Sequence, residues 1–143
     1  MSVKLDQKRM LIKASGYKMS DISNKNGLVI VDYAKIRQHY LNFNQEYKNR
    51  DAMIINNHSL VKFGNNNLRP SMESGFHTHL GKFVLHTHSV YVNVLICSKE
   101  GHKLLKEALG NNYNFIYIPY KNPGTDLAIE VGIRVEDYFK EIK

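Results

Sequence analysis

The chain has 143 residues, enough for one domain with a sizeable core, and its 43% hydrophobic and 23% charged residues are ordinary for a soluble globular protein. The single cysteine, Cys97, excludes an internal disulfide and fits a reducing compartment, with the cytoplasm as the default; no apolar run reaches transmembrane length, and Met1 to Asp6 does not read as a signal peptide. The net charge of +7 is carried by scattered lysines without a dense basic run or an aromatic-basic platform, which argues against nucleic acid and suits small anionic substrates.

Taken in order, Val3 and Leu5 alternate with polar residues as in a short strand, and Met10-Leu11-Ile12 is a second strand. With a turn at Asp6 to Lys8 the two form a hairpin. Ser15-Gly16 follows as a loop whose backbone N–H groups suit an anion, although a plain turn explains it equally. Leu28 to Val31 is the next strand, and Asp32 suits a helix N-cap. Tyr33, Ile36, Tyr40, Phe43 and Tyr47 recur at helical spacing and mark a helix with one aromatic-rich core face. Ala52 to Ile55 is a short apolar run. Residues Asn56 to Leu68 are asparagine-rich and loop-like, with His58 at the surface.

Four of the seven histidines, His77, His79, His86 and His88, lie close together next. Phe83-Val84-Leu85 reads as a buried strand ending in His86-Thr87-His88. Side chains two apart on a strand share a face, so His86 and His88 project together, as two metal ligands must. Ahead of them Pro70 can open a short helix on which Glu73 and His77, four apart, share a face. A metal site and a merely polar surface turn both fit this pattern. Ser89 can cap a following segment whose valines leave helix and strand undecided. Glu100 to Leu109 is a helix stopped by Gly110, with His102 in its first turn facing solvent. Asn114 to Ile118 is a strand ended by Pro119. Asn122 and Pro123 suit the start of a last helix carrying Leu127, Val131, Val135, Tyr138 and Ile142 on one face.

Arg69-Pro70-Ser71-Met72-Glu73, then His77, then Val84-Leu85-His86-Thr87-His88-Ser89 resembles the class II aldolase/adducin family. Pro119-Tyr120 with Pro123-Gly124-Thr125, and Ser15-Gly16 earlier, are similar to further segments of the same family, with the rhamnulose- and fuculose-phosphate aldolases as the branch most resembled. The resemblance spans nearly the whole chain as one domain, residues 1–143. It implies a three-layer α/β/α sandwich around a largely antiparallel central sheet, and a helix after Ser89.

The same resemblance implies metal-dependent aldol cleavage of a phosphorylated ketose. Zn²⁺, or another divalent metal, would act as Lewis acid and stabilise an enediolate. His86 and His88 would hold the metal, and Glu73 would be the acid/base. Ser15, Gly16 and Ser71 would take the substrate phosphate. His77 would be a supporting group or a substitute ligand, and His79 a further supporting group. Alternative outcomes are a sugar-phosphate dehydratase or decarboxylase of the same fold, or a catalytically impaired interaction module. The family implies a homo-oligomer, a tetramer, with small-molecule substrates and no membrane. It also implies a helical segment and a Gly-Asn run before Ser2, and a third metal histidine on a strand beyond Lys143. The expectation is therefore a central piece of the domain, with metal bound weakly by the isolated chain.

Overall fold

The alternating strands and the helical stripe come together in the computed structural model, which describes residues 1–42, 51–110 and 113–142. Strands β1 (Ser2–Lys4), β2 (Arg9–Lys13), β3 (Leu28–Asp32), β4 (Ser59–Phe63) and β5 (Phe83–Val84) form one sheet in the order β4-β3-β2-β1-β5. Every neighbouring pair is antiparallel. Helices α1 (Tyr33–Leu41), α2 (Asp51–Asn57), α3 (Ser74–His77), α4 (Val90–Ile96), α5 (Gly101–Leu109) and α6 (Thr125–Glu141) make the fold mixed α/β.

Register separates the two faces of the sheet. Val84, Ser2, Ile12, Val29 and Lys62 stand opposite one another on one face. Met10 pairs with Val31 on the same face. Met10, Ile12, Val29 and Val31 are buried there with Tyr33, Ile36 and Tyr40 of α1, Ile55 of α2, Leu68 and Ala128 of α6. Each fully buried aliphatic side chain of this set contributes about 1.5–3 kcal/mol relative to exposure. Helices α1, α3 and α6 pack against one another. Gly75 makes the α1–α3 approach possible, because a Cβ there would lie 2.7 Å from the Tyr40 ring.

The second face is an apolar row that no described helix covers. Phe83, Val3, Leu11, Ile30 and Val61 run in register across all five strands. An open hollow of about 410 Å³ lies over part of it, lined by Met1, Val3, Leu11, Leu28, Phe83 and Leu85 among others. Helix α4 is also apolar, and none of its residues is buried.

Asp32 caps α1 as its position predicts. Its carboxylate accepts from the Lys35 N–H at 3.1 Å and lies 3.6 Å from Lys8 Nζ. The aromatic stripe is core as far as Tyr40; Phe43 and Tyr47 lie outside the described residues.

Several expectations need correction. The asparagine-rich stretch contains β4, which pairs with β3 through a register shift and leaves Leu60 and Val61 exposed, so its sequence lacks the alternation of a half-buried strand. Phe83-Val84-Leu85 is not buried: β5 is a two-residue edge strand, with Phe83 76% and Leu85 74% exposed, because its only ladder partner is β1. Asn114 to Ile118 is not a strand and joins no ladder among the described strands. Pro70 does not open the short helix; it bridges to Ala14, and α3 begins at Ser74. The last helix starts at Thr125 after Gly124, whose φ of 100° favours glycine, and not at Pro123. Its buried positions are Thr125, Ala128, Val131 and Gly132, a narrower stripe than the one expected, and Ile142 is exposed.

The Asp32 cap gives a direct test. Asp32→Ala should lower the unfolding free energy by about 0.5–2 kcal/mol in urea titration, while Asp32→Asn keeps most of the cap. Equal losses in both variants would assign the effect to the Lys8 pairing.

Candidate metal centre

The turn ahead of α3 is built by serines. Ser71 Oγ donates to Glu73 Oε2 at 3.3 Å and accepts from the Glu73 N–H at 3.3 Å. Ser74 Oγ donates to the Ser71 carbonyl at 2.5 Å. These local bonds hold Glu73 in a helical conformation at the N-cap of α3, so the four-residue spacing to His77 acts as it would inside a helix. The His77 N–H closes the turn on the Glu73 carbonyl at 3.3 Å.

His77 is 1% exposed, and its Nδ1 lies 2.8 Å from Ser2 Oγ on β1. Thr78 beside it is fully buried; its hydroxyl donates to the Gly75 carbonyl, and its own carbonyl accepts from the Arg37 guanidinium. Just beyond β5, His86 swings back to this turn. Its Nδ1 lies 3.1 Å from Glu73 Oε2, and the Phe76 ring meets it edge-on at 5.3 Å. His88 stacks on His86, ring centroids 4.8 Å apart and planes at 28°. The two rings lie side by side, although neither residue belongs to a strand, β5 ending at Val84.

Glu73, His77 and His86 each bring a ligand atom within 4.8 Å of the others, and they are the only such group among the described residues. Zinc–ligand bonds of about 2.0–2.2 Å place tetrahedral ligand atoms roughly 3.4 Å apart. The Glu73–His86 pair already meets that spacing, so small side-chain rotations would close the set. Two imidazoles and one carboxylate are a donor set suited to zinc. Burial, then the α-amino group of Met1, His86 and Lys4, push the His77 imidazolium down to about 3, so the ring is neutral near pH 7, as a ligand must be.

The other expected residues fall into place around this centre or away from it. His88 is exposed and outside the group of three. Ser15 and Gly16 are exposed in a loop beside Ser71, because Ala14 bridges to Pro70. The Ser15 N–H donates to the Arg69 carbonyl at 2.8 Å and the Ser71 N–H to the Lys13 carbonyl at 3.3 Å, so neither amide points at a ligand. Gly16 has φ 80°, as an anion-binding turn allows. His79 faces the other way, against α6, where a Cβ on Gly132 would lie 2.9 Å from its ring. Burial, Arg37 and Lys4 push it down to about 4. His102 stacks on Tyr117 at 4.9 Å. Ser2 was not legible as a site residue, since nothing in a three-residue strand announces a partner at His77. Among the described residues, no helix is long and apolar enough to cross a membrane.

Comparison with known proteins adds one finding. The family described as class II aldolase and adducin N-terminal domain matches residues 1–143. No curated protein and no solved structure matches the chain.

The lowered histidines fix a pH dependence for the metal-free protein. Their folded pKa values, about 3 and about 4, lie below the ordinary 6.5, so the unfolded chain binds more protons between these limits. Their contribution to stability is full above pH 6.5 and is lost as pH falls toward 4 and then 3. Urea unfolding from pH 7.5 to about 4.5 should show this decline. His79→Gln should flatten it, and an unchanged slope would remove His79 from the account.

Proposed function

Because the chain belongs to the class II aldolase and adducin family, we propose that it is a metal-dependent aldehyde-lyase that cleaves a phosphorylated ketose. The observation that carries this reading is the convergence of Glu73, His77 and His86 from α3 and the end of β5, with His88 stacked alongside. His86 with His88 and Glu73 would hold the divalent metal, zinc by donor type, and His77 stands where it can complete or replace a member of that set. When bound, the ion supplies Lewis acidity to the substrate's carbonyl and hydroxyl oxygens.

The chain's own residues do the rest. Glu73 would accept at Oε2 the proton of the hydroxyl on the carbon released as the aldehyde, and return it to the carbon of the other fragment left by the broken C–C bond. His86 Nδ1 lies 3.1 Å from Oε2 and Ser71 Oγ 3.3 Å from it, so both contacts orient the carboxylate. A phosphate would be met by the Ser15 hydroxyl and the Gly16 N–H, and by the Ser71 hydroxyl once it turns from Glu73 to the open loop. The chain's net charge of +7 favours capture of such an anion.

The uncovered row Phe83-Val3-Leu11-Ile30-Val61 and the unburied apolar α4 are two faces that a three-layer arrangement would bring together. They equally support self-association into the homo-oligomer expected of the family, acting in the cytoplasm.

The test combines metal analysis with turnover. Glu73→Gln should keep the fold and lose roughly 10²–10⁴-fold in cleavage rate. His86→Ala should sharply lower zinc content after dialysis. Stoichiometric zinc with no cleavage of any phosphorylated ketose would end the aldolase reading and turn attention to dehydration or decarboxylation. Zinc content unaffected in His86→Ala would end the metal assignment itself.

A further inference from the structure

We infer that the hollow between α1 and α6 is a second binding site, for a small organic monocarboxylate whose oxygens are met by Arg37 and His79. It is separate from the candidate metal centre and does not depend on the metal reading.

The chain gathers positive charge here without answering it. Arg37 reaches from α1 to the end of α3, where its guanidinium donates to the Thr78 carbonyl and lies 5.8 Å from the centre of the Tyr33 ring. Lys4 Nζ lies 5.0 Å from the centre of the same ring and donates to the Leu80 carbonyl. Neither cation pairs with a carboxylate among the described residues. A partly buried cation without a counter-charge is costly.

Hydrogen bonding is unanswered at the same place. Arg37 Nε and His79 Nε2 are both buried without a partner. Both residues line one hollow of about 340 Å³ along α6. Buried donors are rarely left without an acceptor, and here the chain supplies none. A carboxylate accepts from two N–H donors at once, from Arg37 and from the Nε2–H tautomer of His79.

Charge and shape narrow the ligand. Lys140 lines the hollow but is engaged with Asp137 at 3.5 Å, and the exposed Glu136 opposes Arg37 from the same wall. One guanidinium with such a neighbour suits a single negative charge better than the nearly two of a phosphate. Val135 and Phe139 give the hollow apolar wall, and Ile129 and Ile133 line an adjoining one that shares His79. The body of the acid therefore meets hydrocarbon while its carboxylate meets the two donors.

The test uses the full metal-free chain at about pH 7, a value at which carboxylates are ionised, with butyrate, butyramide and inorganic phosphate as probes. NMR titration follows the His79 ring and the Gly132 amide, which face each other across the hollow. The expected result is saturable shifts with butyrate, and much weaker binding of butyramide and of phosphate. Arg37→Gln should weaken butyrate about 10–100-fold, the scale of a lost hydrogen bond to a charged group, and Glu136→Gln should strengthen it. Absence of a saturable butyrate shift in wild type overturns the inference, and that measurement needs no variant to fold. Phosphate or butyramide binding as tightly as butyrate overturns it too, as does unchanged affinity in a folded Arg37→Gln. Shifts confined to Glu73, His77 and His86 would move the anion to the candidate centre and likewise overturn the second site.

Discussion

Burying an imidazole with only 1% exposure costs the chain the hydration of two ring nitrogens, and that cost has to be met by the surroundings. At His77 it is met by Ser2, across 75 residues of sequence. The bond ties the first strand to the helix that carries Glu73, so the sheet and the candidate centre are one construction. Around it, Thr78 is buried with its hydroxyl on Gly75, and Arg37 reaches from α1 to the Thr78 carbonyl. The short helix α3 would be marginal alone. Its place is fixed by these contacts with β1, α1 and α6 rather than by its own four residues.

The parts of this architecture that were legible in the sequence are those decided locally. Asp32 caps α1 because it stands directly before a helical stripe, and Tyr33, Ile36 and Tyr40 reach the core because their spacing allows nothing else. Glu73 and His77 converge although their helix begins later than Pro70 suggests, since the Ser71 turn already holds a helical conformation. What was not legible depends on distant partners. Strand β4 exists because β3 offers it an edge, and Leu60 and Val61 hide that role by facing solvent. Residues 114–118 have strand-like composition and no partner among the described strands, so composition alone misleads there. Ser2 belongs with these cases.

The charge pattern of the centre differs from that of the molecule. A chain of net charge +7 places a carboxylate and histidines, His77 held neutral, where the family resemblance puts a metal. Lys4 approaches from the same strand as Ser2, over the Tyr33 ring and bonded to the Leu80 carbonyl. Burial, helped by Arg37, pushes Lys4 down to about 8, so this cation is less firmly charged than the surface lysines around it. Burial therefore weakens the positive charge nearest His77 relative to that of the exterior.

Gly75 carries no functional group, yet the Tyr40 ring occupies the space its side chain would need. Any larger residue there would wedge α3 away from α1, and Glu73 and His77 would move with it. Tolerance to mutation at this centre is therefore set partly by a residue without a reactive group. Variation at position 75 would register as a displaced Glu73 and His77, and a search confined to reactive side chains would look for its cause in the wrong place.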